Sequence, residues 1–256
     1  MGVRMRGRLT GLSVAVAVAT LAVAGGATAA SASAGSASSA SSVSAPASAA
    51  YTPPARTLKE GMKGADVKAM QQRLAALKYY PGPIDGSFGP DTLEAVWAFQ
   101  EVNRLSVDGL VGPATARALV HPRTFVSNDP RQDRTRIEVN LAMRVLVLYK
   151  NDQIALISHV SSGGGYYFCN PDGSCSYAIT PTGNYRTTVY MPGWVTVPLG
   201  EMYNPVFFIG TVYAIHGDTD VPVNPVSHGC VRIPMDIAAF FHTLVTTPGT
   251  EVFVYK

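Results

Sequence analysis

From residue 58 onward the apolar positions follow first a helical and then a strand-like rhythm. Val67, Met70, Leu74 and Leu77 recur every three or four residues, which predicts an amphipathic helix over 65–78 with one buried face. Leu93, Val96, Trp97 and Phe99 continue the rhythm, and Leu119 closes a third helical segment near Val120. After a polar, proline-containing stretch from His121 to Arg134 the period changes. Ile137 and Val139 alternate with polar residues, and RVLVLYK and QIALISHV follow as short runs separated by Asn151-Asp152, the signature of strands joined by tight turns. Further strands are predicted at 185–190, 194–198, 206–215 and 251–255. One helix is predicted at 234–246, opening at Pro234 and carrying Ile237, Phe240, Phe241 and Leu244. The pattern predicts two domains: a small three-helix unit, then a mostly β domain with one main helix.

An internal repeat supports the first of these. DGSFGPDT at Asp85–Thr92 recurs as DGLVGPAT at Asp108–Thr115, sharing D-G-x-x-G-P-x-T. Asp-Gly makes a tight turn, and the proline suits the first helical position, where its missing N–H costs nothing. Each copy therefore starts a helix.

Residues 1–29 read differently. Arg4, Arg6 and Arg8 precede the apolar run LSVAVAVATLAVA, and Ala27-Thr28-Ala29 supplies a small-x-small pattern, as in a cleaved secretory leader. The run is short of the roughly 18 residues that a membrane anchor needs, so no stable span is expected after cleavage. The chain has 20 basic and 17 acidic residues; without the three leader arginines the numbers are equal. Net charge thus points to no nucleic-acid partner. Residues 30–56 are Ala, Ser and Pro with few large apolar groups, composed as a disordered spacer.

An exported chain normally pairs its cysteines, and this one has three. Cys169 and Cys175 bracket Asn-Pro-Asp-Gly-Ser, a turn-forming sequence that predicts a disulfide. A zinc site using both thiolates and His159 is the rival, but no fourth ligand is evident at tight spacing. Cys230 is left over, in PVSHGCVRIP. A nucleophilic cysteine needs a base or a positive field. His216, closing the run TVYAIHG, is placed to return to Cys230, whereas His228 is held by its own backbone. A carbonyl near Gly217 would orient His216. Gly229 and Cys230 offer N–H groups for an oxyanion, and Arg232 a planar fork for a substrate carboxylate. Taken singly, His216, His228 and Cys230 read as structural residues; with export and an unpaired thiol they read as a site.

Two resemblances add to this. Residues 58–120, with LKEGMKGADVKAMQQRL, IDGSFGPDTLEAVWAFQ and VDGLVGPATARAL, resemble the peptidoglycan-binding helical domain found on many wall enzymes. That implies wall targeting, with a plain spacer as the alternative. Residues 135–256, with TPTG at Thr180–Gly183 and IHGDTDVPVNPVSHGCVRIP, resemble the L,D-transpeptidase (YkuD-like) catalytic domain. The resemblance implies a β-rich fold, Cys230 as nucleophile, His216 as base and Gly217 as the glycine that orients it. It also implies that Ser227, His228, Gly229 and Arg232 line the site. The expected reaction joins third residues of peptidoglycan stem peptides through a Cys thioester, with no metal or cofactor, in a secreted, wall-associated monomer whose partners are those stems and the glycan wall. The alternatives are an L,D-carboxypeptidase on the same site, an inactive wall-binding protein, and another cysteine hydrolase. The last is disfavoured because His precedes Cys, the reverse of the papain-like order. The Cys169–Cys175 stretch looks like an insertion, and sequence leaves open whether it shapes the donor groove or acts as a lid.

Overall fold

A computed structural model describes residues 51–129 and 134–256. The predicted leader and most of the spacer lie outside the described residues. Three helices come first: α1 (Ala65–Ala76), α2 (Pro90–Asn103) and α3 (Pro113–Val120). Both repeat prolines take the first helical position behind a glycine cap, as the repeat predicts.

A glutamine from the preceding helix holds each repeat turn. Gln71 Oε1 accepts Gly86 N–H at 2.8 Å, and its Nε2 donates to Ser87 O at 3.0 Å and Thr92 Oγ1 at 3.1 Å. Gln100 does the same one repeat later, with Gly109 N–H at 2.9 Å, Leu110 O at 3.1 Å and Thr115 Oγ1 at 3.2 Å. Both glutamines are buried, so polar groups that burial would otherwise penalise find partners in one another. Residues 51–56, which read as the end of the spacer, belong to this unit. Arg56 pairs with Asp66 at 2.7 Å and Tyr51 packs on the helical core; one ion pair and one aromatic ring order a segment that composition alone leaves free.

The sheet region runs β1 (Arg136–Asn140), β2 (Val145–Lys150), β3 (Gln153–His159), β4 (Tyr167–Cys169), β5 (Cys175–Tyr177), β6 (Gly183–Arg186), β7 (Trp194–Val197), β8 (Gly200–Ile209), β9 (Tyr213–Asp218), β10 (Val231–Pro234), α4 (Met235–Leu244) and β11 (Glu251–Tyr255). A five-stranded sheet has the order β3-β2-β1-β11-β6, a four-stranded sheet β10-β9-β8-β7, and β4-β5 forms a separate ribbon. The β1/β11 and β10/β9 pairs are parallel. The run 206–215, predicted as one strand, is a hairpin: Ile209 pairs with Tyr213 across a turn at Gly210, whose φ is +53°. Its apolar positions run on because both arms are buried, which hides the turn from a pattern reading.

One core lies between the sheets, built from Ile137, Leu146, Val206, Ile215, Val231 and Ile233 among others and closed by Phe241 of α4. A second joins the helices to the far face of the five-stranded sheet, where Leu74 and Phe99 meet Val145, Val147 and Ile157. Every residue of β1 is buried as a result. The polar residues that alternate with Ile137 and Val139 are buried as well: Arg136 lies inside, bound to Glu138 at 2.9 Å and Asp152 at 2.8 Å, with its guanidinium 3.9 Å from the centre of the Tyr149 ring. A buried charge persists only when paired in this way. The helical and sheet regions also meet at Trp97 and His159, edge to face at 5.4 Å, and at the Glu101–Arg144 ion pair. Among the described residues no helix is long and apolar enough to cross a membrane.

Candidate functional site

Parallel pairing of β9 and β10 assembles the site. The register sets Arg232 opposite His216 and Val231 opposite Ile215. Side chains alternate along a strand, so Ile215, Val231 and Ile233 enter the core while His216, Asp218, Cys230 and Arg232 share the other face. These four line one cavity of about 480 Å³ together with Ser227 and His228. His216 was expected at a strand end, but β9 runs on to Asp218.

His216 is buried, and its Nδ1 lies 2.9 Å from the carbonyl oxygen of Gly217. A carbonyl only accepts, so Nδ1 carries the proton and Nε2 keeps a lone pair. Burial pushes the imidazole pKa below its usual value, against the opposing pull of the Gly217 carbonyl and Asp218. Gly217 has a second constraint. A Cβ there would come within 2.6 Å of Ala238 Cβ, so α4 packs directly on the strand that carries the histidine.

Cys230 has no disulfide partner. Its Sγ lies 3.7 Å from Val212 O. Burial raises the thiol pKa, outweighing the Ala214 backbone N–H and the Arg232 charge that favour thiolate. The thiol and the imidazole line one cavity, and both shifts favour the neutral forms, an arrangement suited to proton transfer during attack rather than to a stored ion pair.

The turn before Cys230 is stapled by Ser227, whose Oγ accepts Gly229 N–H at 3.0 Å and donates to Cys230 O at 2.6 Å. Gly229 adopts φ +144°, and a Cβ there would lie 2.6 Å from the Tyr213 ring. Thr180 of the TPTG segment donates to Gly229 O at 2.7 Å. This geometry corrects one expectation: the Gly229 N–H is spent on Ser227 and is not aimed at a substrate oxygen.

Arg232 differs from expectation too. Its Nε lies 3.1 Å from Asp218 Oδ2 and its Nη1 donates to Asp220 O at 3.1 Å, so two of its donor positions are occupied by the chain itself. Asp218 escaped the sequence reading, although two residues beyond His216 on one strand means the same face. His228 lies edge-on to Phe168 at 4.7 Å and to Tyr166 at 5.6 Å. Cys169 and Cys175 are joined in a disulfide. His159 points elsewhere, its Nε2 3.2 Å from Pro222 O and its pKa lowered by burial to about 4, so the three residues of the zinc alternative do not converge.

Comparison with known proteins agrees with this architecture. Residues 63–119 match the peptidoglycan binding domain family and residues 134–254 the L,D-transpeptidase catalytic domain family. The chain is similar to a crystal structure of the L,D-transpeptidase (residues 123–326) from Xylanimonas cellulosilytica, with 33% identity and a TM-score of 0.74, covering 80% of this chain and all of that one. It is 42% identical over 102 residues to an uncharacterised protein from Kitasatospora aureofaciens, covering 40% of this chain and 83% of that one. It is also 47% identical over 64 residues to the zinc D-Ala-D-Ala carboxypeptidase of Streptomyces albus G, covering 23% of this chain and 24% of that one. Its match to an N-acetylmuramoyl-L-alanine amidase of Mycobacterium tuberculosis spans 20% of that protein's length, so these last two likenesses reach a quarter or less of the relatives' chains.

Proposed function

The chain belongs to the L,D-transpeptidase family, and from that premise we propose that it cross-links peptidoglycan stem peptides through an acyl-enzyme on Cys230. The observation that carries this reading is the Nδ1 contact of His216 with Gly217 O, which leaves Nε2 as a base in the cavity that also holds the thiol. Cys230 Sγ attacks the carbonyl carbon of the third stem residue as His216 Nε2 takes the thiol proton. The tetrahedral intermediate collapses, the C–N bond breaks, and the same imidazole returns the proton to the amine of the departing D-alanine. A thioester remains. An amine of a second stem attacks it, His216 accepts that amine's proton, and the C–S bond breaks to restore the thiol. Water in place of the amine gives an L,D-carboxypeptidase.

In this reading the backbone N–H of Cys230 serves the developing oxyanion, because Gly229 already serves Ser227. Ser227 and Gly229 fix the turn, His228 forms part of the cavity wall, and Arg232, oriented by Asp218, faces the substrate carboxylate with its remaining donors. Residues 58–120 hold the enzyme on the wall to which residues 1–29 direct its export. The domain limits are those of the sequence reading, with residues 51–56 joined to the helical unit.

The test is mass spectrometry of products from purified disaccharide tetrapeptide with the mature protein and its Cys230→Ala form. Dimers lacking one D-alanine, absent with the variant, support the reading. Tripeptide monomers alone make the protein a carboxypeptidase, and unchanged substrate rejects the enzymatic reading in favour of wall binding.

A further inference from the structure

The β4–β5 ribbon presents two unlike faces. Its register pairs Tyr167 with Tyr177, Phe168 with Ser176 and Cys169 with Cys175. Alternation therefore places the tyrosines and the disulfide on one side and Phe168 with Ser176 on the other. Tyr167 and Tyr177 are 62% and 59% exposed, whereas Phe168 and Ser176 line the cavity that holds Cys230.

The ribbon is tied to the loop that carries the thiol. Tyr166 Oη donates to Val226 O at 3.1 Å, Gly164 N–H to Ser227 O at 3.0 Å, and Ala178 N–H to Tyr166 O at 2.8 Å. The disulfide closes its far end, and the Phe168 ring braces His228. A wall bonded to the nucleophile's own loop cannot swing as a lid swings. It is instead a fixed reference against which a bound group is held, and attack on a carbonyl needs the reacting atoms about 3–3.5 Å apart.

Its chemistry narrows what it holds. Phe168, Ser176 and the nearby Asn170 offer one ring and uncharged hydrogen-bonding groups. The neighbouring charges of Arg232 and Asp218 compensate each other. Such a surface suits the methylenes and amides of a peptide backbone, whereas the Glu201 carboxylate that also lines the cavity stands on β8 and not on the ribbon.

Resting on the transpeptidase reading, we propose that Phe168 is a specificity-determining residue for the acyl donor, its ring forming the rigid wall along which the donor's peptide chain lies. The experiment uses the mature protein, disaccharide tetrapeptide as donor and a stem-peptide amine as acceptor. Phe168→Ala raises the donor KM about tenfold, a loss of about 1.4 kcal/mol. It leaves the acceptor KM and the rate of Cys230 alkylation by iodoacetamide unchanged, and Phe168→Tyr restores the donor KM. Should the alanine form fail to fold, Phe168→Leu replaces it and is expected to raise the donor KM in the same direction. An unchanged donor KM, a rise in the acceptor KM alone, or no rescue by tyrosine overturns the proposal. A wild-type protein that forms no acyl-enzyme at all overturns the transpeptidase reading instead, so the two failures are distinct.

Discussion

Ser227 bridges the backbone on both sides of the turn that ends at Cys230, accepting Gly229 N–H at 3.0 Å and donating to Cys230 O at 2.6 Å. One hydroxyl thus fixes both the approach of the thiol and the left-handed φ of the glycine before it. Ser227→Ala removes one buried and one partly buried hydrogen bond and is expected to cost about 1–3 kcal/mol of stability, with a fall in acylation rate larger than any change in donor KM. Denaturant unfolding and single-turnover acylation measure the two effects. A fully active, equally stable alanine form rejects the staple.

His216→Ala is expected to lower acylation by about 10²–10⁴-fold, the usual contribution of a positioned general base, and to leave the circular dichroism spectrum unchanged. A rate equal to wild type moves the role of base to His228.

The pH profile follows from the directions of the two shifts. Burial lowers the His216 pKa and raises that of Cys230, so the imidazole stays neutral and able to accept a proton down to a pH below the ordinary histidine value of about 6.5. The acid limb of kcat/KM for acylation is expected below that value. It should vanish in His216→Ala, and a limb at or above pH 7 contradicts the assignment.

Asp91 and Glu94 of α2 and Asp236 of α4 bring carboxylate oxygens within 4.8 Å of one another. Burial, then the mutual repulsion of these charges, raises Glu94 to about 8 and Asp236 to about 6. A folded-state pKa above the unfolded one makes a contribution that is complete below the unfolded carboxyl value and lost as pH rises through the folded one. Thermal stability is therefore expected to fall between about pH 5 and pH 8, and Glu94→Gln should flatten that slope. An unaltered slope in differential scanning fluorimetry disproves the coupling between the two helices.

Gln71→Ala and Gln100→Ala each strip the partners from a buried repeat turn. Each is expected to cost about 1–3 kcal/mol and to weaken retention of the full-length protein on insoluble wall sacculi in a pull-down. Retention unchanged after measurable destabilisation separates wall binding from these turns.

Local chemistry made much of this protein legible from sequence. A proline at the first turn, a glycine behind it and a helical period act within a few residues, so α1 and α4 stand within two residues of the predicted ends and α2 and α3 start at the repeat prolines, although α2 runs four residues past Phe99, the last position its pattern named. The unpaired Cys230 and the pairing of Cys169 with Cys175 could likewise be reasoned from three cysteines and one turn. Other features depended on partners distant in the chain. The polar positions of β1 became a buried ion network because Ser127, Asp129, Tyr149 and Asp152 gather around Arg136 and Glu138, the strand at 206–215 folded into a hairpin because both arms enter one core, and Gln71 and Gln100 gained their role only when each helix met the following turn. The site divides the same way. Residue types named Cys230 and His216 as candidates, but the β9–β10 register set Arg232 against His216, the Ser227 hydroxyl took the Gly229 N–H, and the bonds of the β4–β5 ribbon to residues 226 and 227 brought Phe168 to the wall beside His228. Long-range pairing is paid for by packing across the whole fold, so no short stretch of sequence contains it.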